Sequence, residues 1–564
     1  MDDVVQALYE MDLRPDLVDP KGKPKKNNIE TYMIGFADEQ AKADPLMQDT
    51  AKQGGGLFIQ AENSAQLSQA FQAAIADISG KVSSAASVAL NSGSITSDSH
   101  LYQAKFNISN WSGQLLAFPI KTDGTLGTQA WDAAVPLNAQ DPDTRKIVTF
   151  KPSTKKGIRF RWPANPASPG ASELDPAQVS ALHANPVTGL SDTKGSERLD
   201  YLRGKVVSGF RIRGSKLGDS VYSSPAFVGA PMARYPDNWG PGEPENAKPY
   251  SAFKSSKTGR APMVYVGAND GMLHGFDAKD GSERFAYVPA SVFKNLNKLT
   301  DPNYNSNHRF YVDDSPIVSD AFFGGSWHTV LVGGLRGGGQ GIYALDVTSP
   351  PAAADTEDDV AAKVLWELTD ATYPELADLG YSYSDPSIVR LHNGKWAVVF
   401  GNGYNNSEDD TLTGGAKSTS GNAVLYIVDV ADGSVIAKID TKKGYLQDPK
   451  NSSPPVATDP LRPNGLATPA PIDANGDYIV DYVYAGDLFG NLWKFDVNKM
   501  TTSQWDVDYG SGANPAPLFT ACFGTSCTIG ATSNYQPITT RPEVGRHPTQ
   551  PVGQGECVLG RKIK

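Results

Sequence analysis

The chain has 564 residues, 39% of them hydrophobic and 20% charged, and a formal net charge of -11 at pH 7. This acidity argues against nucleic acid as a partner, because binding phosphates requires a basic face. No apolar run approaches the roughly 18 residues that a membrane helix needs, so no membrane span is predicted. The 55 Gly and 40 Pro favour many short strands joined by turns over long helices.

The first 80 residues differ in pattern from the rest of the chain. Thr31–Phe36 is predicted to be a buried strand and Leu57–Ile59 a second short strand, separated by a polar stretch and a glycine turn. A helix capped by Asn63 or Ser64 is predicted after them, because apolar residues recur there at helical spacing. Its apolar face consists of Leu67, Phe71, Ile75 and Ile78. This order is typical of α/β domains. So few strands cannot bury their faces, which predicts that residues 1–80 are a truncated domain.

Two polar stretches flank the long remainder at 101–548. Residues 81–100 are small and polar, as in a linker or a frayed strand. Residues 549–564 are polar and contain no closing strand, so this tail is also predicted to be truncated. The chain begins Met1, Asp2, Asp3, without the basic and apolar regions of a secretion signal. The protein is therefore expected either to be cytosolic or to lack its original N-terminus.

A strand pattern recurs along residues 101–548, and four of its five copies end on an aspartate where the next turn begins. The copies are Gly113–Phe118, Gly271–Asp277, Gly341–Asp346, Val424–Asp429 and Gly490–Asp496. A hydrophobic strand ending on glycine precedes four of them, namely Val264–Gly267, Val330–Gly333, Val398–Gly401 and Val483–Gly486. Each unit needs neighbours to bury the faces of its sheet, so the pattern indicates a repeating sheet module.

Proline marks the strand entry upstream of the last four repeats, and a degenerate fifth entry lies at Pro542. The prolines are Pro225, Pro316, Pro386, Pro469 and Pro542, at intervals of 91, 70, 83 and 73 residues. These intervals exceed the roughly 40–50 residues of common propeller repeats, and long loop inserts account for the excess. We predict an all-β fold, a β-propeller with long loop inserts preceded by the small α/β segment. An array of β-sandwiches is the competing architecture.

Several stretches resemble the C-terminal propeller of the PilC/PilY family of type IV pilus proteins. They are Leu217–Pro225, Val264–His274, Leu379–Ser384, Trp396–Tyr404 and Tyr484–Asp496. The strand and glycine turn in residues 1–80 resemble the last third of a von Willebrand factor A domain, and that likeness transfers no metal site. The resemblance implies quinoprotein-like blades and no enzymatic activity. It also implies a calcium-binding pilus biogenesis factor and tip-associated adhesin that regulates pilus extension and retraction.

The same resemblance implies partners and a location. The partners would be minor pilins at the type IV pilus tip and an unidentified receptor on host cells or abiotic surfaces. The protein would act in twitching motility, attachment and virulence, at the cell surface and also in the outer membrane or periplasm. Some relatives carry an Arg-Gly-Asp tripeptide, whereas this chain has Arg203, Gly204 and Lys205 at its nearest stretch and no Arg-Gly-Asp anywhere. Integrin binding by that route is not predicted.

One loop has the spacing of a calcium site. Its positions 1, 3, 5 and 9 are Asp473, Asn475, Asp477 and Asp481, and Ile479 at position 7 can offer its backbone carbonyl. Calcium takes six to eight oxygen ligands, which this spacing supplies in part. Tyr484 stands at position 12, where an EF-hand has a bidentate glutamate. We therefore predict a Ca²⁺ site between strands with an affinity on the order of 10⁻⁷–10⁻⁵ M or weaker. The alternative is a solvated acidic turn.

The cysteines predict a local bridge. Cys522 and Cys527 are close enough to close a hairpin disulfide in an oxidising compartment, and two free thiols in a loop are the alternative. Among other polar residues, His274 is predicted to be packed and not a ligand. Asp313, Asp314 and Asp320 are explained by turn chemistry more simply than by a second ion site.

Two rival functions share the fold class. A quinoprotein dehydrogenase of the PQQ type also has propeller repeats and a Ca²⁺, but it often has an adjacent cysteine pair, and the cysteines here are not adjacent. A non-enzymatic periplasmic propeller scaffold fits the repeats but gives no reason for the calcium loop.

Overall fold

The structure is a computed structural model. It describes residues 2–13, 29, 31–36, 44–61, 88–90, 99–369, 371–408, 417–452, 456, 461–524, 526–530, 533–546 and 556–559. The chain divides into two compact units, one of residues 1–84 and 106–111 and one of residues 85–105 and 112–564.

The smaller unit contains a parallel pair of strands, Thr31–Phe36 and Gly55–Ala61, and two helices, Asp2–Glu10 and Pro45–Gln53. The second helix begins where a side-chain oxygen of Asp44 accepts a hydrogen bond from the amide of Leu46, with a proline in its first turn. Both predicted strands are present, but most of their residues are half-buried and Phe36 is exposed, so the expectation that Thr31–Phe36 is a buried strand is wrong. The predicted helix after Asn63 lies outside the described residues, and the likeness to a von Willebrand factor A domain stays a prediction.

The larger unit is built on four antiparallel sheets of four strands each, here called blades 1 to 4. Blade 1 consists of Ala226–Val228, Met263–Ala268, Met272–Asp277 and Glu283–Val288. Blade 2 consists of Ile317–Phe323, Ser326–Gly334, Ile342–Asp346 and Val364–Leu368. Blade 3 consists of Ser387–Leu391, Trp396–Gly401, Val424–Asp429 and Val435–Asp440. Blade 4 consists of Ala470–Ile472, Tyr482–Gly486, Asn491–Asp496 and Asp506–Val507. The first strand of each blade lies beside the first strand of the next, as in a propeller.

Four of the five strand repeats in the sequence coincide with these blades, whereas Gly113–Phe118 lies in a separate sheet, in the strand Ser112–Pro119. Pro225, Pro316, Pro386 and Pro469 each directly precede the first strand of a blade, where the missing amide removes no ladder bond, whereas Pro542 precedes Glu543–Arg546, outside the four blades. The repeated aspartate ends the third strand, and its carboxylate accepts a hydrogen bond from the amide two residues later. The residues that do so are Asp277, Asp346, Asp429 and Asp496. This local turn ends the strand and starts the return to the fourth strand.

Further strands surround the four blades. A separate four-stranded sheet contains Val88–Leu90, His100–Asn107, Ser112–Pro119 and Trp131–Asp132. Ile147–Lys151 and Lys156–Arg159 extend blade 1, the first of them running parallel to Glu283–Val288. Ile479–Val480 extends blade 3, and Phe519–Thr520 pairs with the third strand of blade 4. Two short hairpins remain, Gly510–Ser511 with Asn514–Pro515 and Glu543–Arg546 with Glu556–Leu559.

The inserts between strands hold helices, which the sequence-based expectation of plain loops did not include. The α-helices are Ala134–Ala139, Pro176–His183, Gly195–Arg203, Tyr250–Ser256, Phe293–Leu296 and Glu357–Ala361. The 3₁₀ helices are Pro244–Ala247, Ala290–Val292, Asn297–Thr300, Tyr304–Ser306, Arg336–Gly338, Pro374–Leu376, Tyr445–Gln447 and Thr502–Gln504. A readable signal existed for two of them, since Asp175 and Gln178 form a capping box at Pro176–His183, and Thr356 and Asp359 form one at Glu357–Ala361. The all-β propeller class itself is confirmed.

The core lies between neighbouring blades. In the second strand of blade 3, Val398 packs in the apolar cluster shared with blade 2, which includes Trp366. The adjacent Val399 points the opposite way, into the cluster shared with blade 4, which includes Trp493. Alternate side chains of a strand face opposite sides of its sheet. Because both sides are covered, the strand is a continuous apolar run and does not alternate with polar residues.

Blade 1 contains a buried charged cluster around His274, which is fully buried. Its Nδ1 lies 2.8 Å from Glu283 Oε1 and its Nε2 lies 3.1 Å from Asp270 Oδ2. Arg145 bonds the same glutamate, with Nε 2.7 Å from Oε2. A neutral imidazole has only one N–H, so two carboxylate partners require the doubly protonated ring. The prediction that His274 is packed in the interior is correct, and the side chains that surround it there are charged.

The folding stability should therefore depend on pH through His274. Burial lowers the pKa of His274, but Asp270 and Glu283 outweigh it and raise the pKa from 6.5 to about 9. The stabilisation is present in full below about pH 6.5 and is lost as the pH rises through 9. Urea unfolding of wild type and His274→Gln should show a stability difference that shrinks by roughly 1–3 kcal/mol between pH 6.5 and 9.5. A difference that stays constant over this range contradicts the protonated assignment.

Candidate calcium loop

The predicted calcium loop connects the first two strands of blade 4. It leaves the sheet after Ile472 and returns at Tyr482, which pair with each other at the end of the hairpin. Within the loop, Ile479 and Val480 pair in parallel with Arg390 and Leu391 of blade 3. The loop is therefore bonded to two blades. Asp481 lies between the strands Ile479–Val480 and Tyr482–Gly486, and its amide bonds the carbonyl of Ile472.

Asp473 organises the loop. One of its carboxylate oxygens accepts hydrogen bonds from the amides of Gly476 at 2.6 Å and Asp477 at 3.2 Å, and the other accepts one from Tyr478 at 2.7 Å. Gly476 has a φ of 86°, a left-handed conformation that glycine adopts without strain. A position-1 carboxylate that holds the next turn in this way fixes the backbone path around it.

Asn475 and Asp477 lie on the exposed side of the loop. The Asn475 amide nitrogen is 3.1 Å from one carboxylate oxygen of Asp477, and the other oxygen accepts a hydrogen bond from the Ile479 amide at 2.8 Å. Both side chains are exposed and can rotate without disturbing the core.

Asp481 is the buried member of the set, with 3% of its surface exposed. Its Oδ2 accepts a hydrogen bond from the Ala474 amide at 2.8 Å, which ties the end of the loop to its beginning. Its Oδ1 lies 2.9 Å from His392 Nε2, in the turn that follows the first strand of blade 3. Sequence reasoning missed His392, because the histidine is 89 residues away and belongs to no motif.

The donor set fits a hard cation, since it offers three carboxylates, one amide oxygen and one backbone carbonyl within nine residues. The structure does not gather these groups around one centre. Among the described residues, which include the whole loop, no three His, Cys, Asp or Glu side chains stand close enough to form a metal cluster. Binding through all five groups therefore calls for rotation of Asn475 and Asp477 on a backbone that Asp473 and Asp481 already hold. The calcium site stays a prediction.

The three other aspartates singled out in the sequence are buried, so their interpretation as turn residues is wrong. Asp313 bonds the amides of Val221 and Tyr222, and burial raises its pKa to about 6. Burial and then the charge of Asp385 raise the pKa of Asp314 to about 7, against the opposing effect of Arg336. Asp320 lies within a strand of blade 2 and accepts a hydrogen bond from the Tyr250 hydroxyl at 2.5 Å. These carboxylates link inserts and blades.

Cys522 and Cys527 are joined by a disulfide, with their Cα atoms 5.3 Å apart. The backbone of Cys522 also forms an antiparallel β-bridge with that of Tyr535, so the loop closed by the disulfide is attached to the segment that follows it. The loop encloses few residues, and the loss of chain entropy on closing it is therefore small.

The disulfide should form in protein made in an oxidising compartment. Intact-mass and peptide mass spectrometry should find both thiols oxidised. The double variant Cys522→Ser/Cys527→Ser should unfold within about 2 kcal/mol of wild type, because only a short loop is released. Two free thiols in oxidised, secreted protein would contradict the predicted bridge.

None of the helices in the described part of the chain is long and apolar enough to cross a membrane.

Blades that follow one another along the chain, each entered at a proline, define a β-propeller protein, here with an acidic loop between the first two strands of one blade. Residues 217–558 match the family model of the PilY1 beta-propeller domain. The chain belongs to this family, which confirms the resemblance seen in the sequence. The family consists of pilus biogenesis factors, in agreement with the prediction that the chain is not an enzyme.

Known relatives match most of the chain. It is 38% identical over 567 residues to type IV pilus biogenesis factor PilY1 of Pseudomonas aeruginosa (strain UCBPP-PA14). This match covers 93% of this chain and 43% of that protein. It is 36% identical over 539 residues to a PilY1 homolog of Xylella fastidiosa (strain Temecula1 / ATCC 700964), covering 87% and 34%. The crystal structure of the P. aeruginosa PilY1 C-terminal domain is 37% identical, covers 59% of this chain and 58% of that one, and has a TM-score of 0.43. The chain thus spans less than half the length of these curated relatives.

Proposed function

We propose that the chain is the propeller part of a calcium-binding type IV pilus biogenesis factor and tip-associated adhesin. In this role it regulates pilus extension and retraction, twitching motility and surface attachment, and it catalyses no reaction. The relatives named as type IV pilus biogenesis factors support the pilus role. The observation that carries the calcium part is the loop of five oxygen donors bonded to both blade 3 and blade 4.

The residues of the calcium loop would have different roles in binding the ion. Asp473 and Asp481 fix the backbone at the two ends of the loop, as their hydrogen bonds indicate. Asn475 and Asp477 would turn toward the ion, and Ile479 would add its carbonyl. Bound Ca²⁺ would offset the repulsion among three carboxylates. Because Ile479 and Val480 pair with blade 3, ordering of the loop would reach the edge between the two blades.

The proposed location is the cell surface at the pilus tip, with further protein in the outer membrane or periplasm. Minor pilins are the proposed partners in the pilus, and an unidentified receptor on host cells or abiotic surfaces is the proposed partner in attachment. A propeller suits such contacts, because its strands form a rigid scaffold from which loops project.

Deletion of the gene in the source organism tests the pilus role. We expect several-fold fewer surface pili, measured by shearing and immunoblotting, and loss of twitching on agar. A copy of the wild-type gene should restore both. An Asp481→Ala copy should restore pili but lose the response of pilus number to calcium. Normal pili and twitching in the deletion strain would overturn the proposed function.

A further inference from the structure

A cavity of about 370 Å³ adjoins the calcium loop within the propeller. The first strands of blades 2 and 3 form part of its wall, and the loop itself contributes Asp473 and Tyr478. Tyr235, Trp396, Ser387 and Arg541 complete the part of the lining that matters here. The volume is at the lower end of the range of about 300–1,000 Å³ for small-molecule sites, so it suits a ligand with a single ring.

Three aromatic rings line this cavity, each from a different element. The ring of Tyr235 packs edge-on against Trp396, with centroids 5.1 Å apart, and edge-on against Tyr478, with centroids 6.0 Å apart. Tyr478 has a φ of 68°, in the left-handed region that non-glycine residues seldom adopt. The backbone hydrogen bond from Tyr478 to Asp473 holds it there. The conformation of the calcium loop therefore sets the position of one aromatic wall.

Two polar groups at the cavity, the exposed Arg541 and the half-buried Ser387, are available to bond a ligand. Among the described residues, the guanidinium of Arg541 and the hydroxyl of Ser387 have no hydrogen-bond or ion-pair partner. Arg390, which also lines the cavity, differs because its guanidinium is bound by Glu243 and Glu245. Arg541 is thus the group that can pair with an anion in the cavity.

We propose that this cavity binds a sugar acid, a hydroxylated ring bearing one carboxylate. The aromatic rings would pack against the C–H faces of the sugar, Arg541 would bind the carboxylate, and Ser387 would bond a hydroxyl group. The cavity offers one cation, one hydroxyl and aromatic faces around the volume of a single ring. These features fit a sugar acid better than an acidic peptide, because a peptide backbone needs a longer groove.

A second part of the inference rests on the proposed calcium function. Asp473 is both a predicted calcium ligand and part of the cavity wall. Without a cation its carboxylate faces an anionic ligand, and bound Ca²⁺ offsets that repulsion. Calcium should therefore tighten the binding of sugar acids, and sugar acids should tighten the binding of calcium by the same factor.

Calorimetric titration of the whole chain with D-glucuronate, D-galacturonate and N-acetylneuraminate tests the site, with D-glucose as the neutral probe. We expect at least one acid to bind and glucose to bind more weakly. Arg541→Gln should weaken binding of the acid about tenfold, whereas Arg309→Gln, an exposed arginine outside the cavity, should not. Tyr478→Asn should also weaken it, while Tyr509→Asn should not, although both tyrosines are 43% exposed. Unchanged unfolding midpoints would show that the variants fold.

Each result decides the proposal. Failure of all three acids to bind, equal binding of glucose, or unchanged affinity in Arg541→Gln overturns the sugar-acid site. Tighter binding of a Glu-Gly-Glu peptide than of any sugar acid assigns the cavity to peptides and also overturns it. Repeating the titration with EGTA separates the two parts. Acid binding that depends on Arg541 but not on calcium supports the sugar-acid site and overturns only its coupling to calcium. The test of the sugar-acid site therefore gives a result even if the loop binds no calcium.

Discussion

Replacing Glu283 with alanine is expected to lower the free energy of unfolding by about 3–5 kcal/mol, the usual cost of breaking a buried ion pair. Glu283 is the shared partner of Arg145 and His274, and its side chain is 1% exposed. Its removal leaves the buried Arg145 without its carboxylate partner and leaves His274 paired with Asp270 alone. Urea unfolding at pH 7 measures the effect.

The control is Glu197→Ala, at an exposed glutamate in the helix Gly195–Arg203, which should change stability by no more than about 0.5 kcal/mol. The triple variant Arg145→Met/His274→Leu/Glu283→Leu should recover part of the loss, because it removes the three charges that meet at Glu283, while Asp270 keeps its hydrogen bonds from the amides of Gly218 and Met272. A loss below about 1 kcal/mol in Glu283→Ala would contradict the ionic account of this cluster.

Replacing Asp481 with lysine and with alanine should have opposite effects on pili. A lysine ammonium can place a positive charge near Asp473 and Asp477, so the Asp481→Lys strain should resemble the calcium-loaded protein at every calcium level. The Asp481→Ala strain should lose control of pilus number or twitching. Asp481→Ala also leaves His392 and the Ala474 amide without their acceptor. Pilus counts and twitching zones across a calcium series measure both strains.

Asp123→Lys is the matched control, because it adds the same charge in an exposed turn far along the chain from the loop. That strain should behave as wild type. Wild-type piliation and twitching in both Asp481 strains at every calcium level would show that the loop is structural and that the regulatory proposal is wrong.

The sequence predicted the blades well because their signals are local. A proline at the strand entry, a glycine at the end of the second strand and an aspartate that bonds the amide two residues later are contained within single repeats. The strand Trp396–Gly401 is an example, since its apolar run was sufficient to predict it. The loop from Asp473 to Asp481 was recognisable for the same reason, as all its donors lie within nine residues.

The contacts between inserts and blades could not be predicted in this way. Arg145 meets Glu283 across 138 residues, and His392 meets Asp481 across 89. No spacing rule connects such pairs, because they depend on how the blades and their inserts pack. The helices of the inserts were also missed. Their apolar faces are short, so their helical periodicity was weak beside the pattern of the strand repeats. Asp313 and Asp314 were assigned to turns because burial is not visible in a short stretch of sequence.

Calorimetric titration of Ca²⁺ into wild-type and Asp481→Ala protein tests the central claim most directly. We predict that wild type binds one calcium ion with a dissociation constant on the order of 10⁻⁷–10⁻⁵ M or weaker, that Mg²⁺ does not replace it, and that Asp481→Ala abolishes binding. Calcium at about 100 times the dissociation constant should stabilise wild type by about 2.7 kcal/mol and leave the variant unchanged. Equal calcium affinity in the two proteins, or no binding to wild type, would contradict the assignment of this loop as the calcium site.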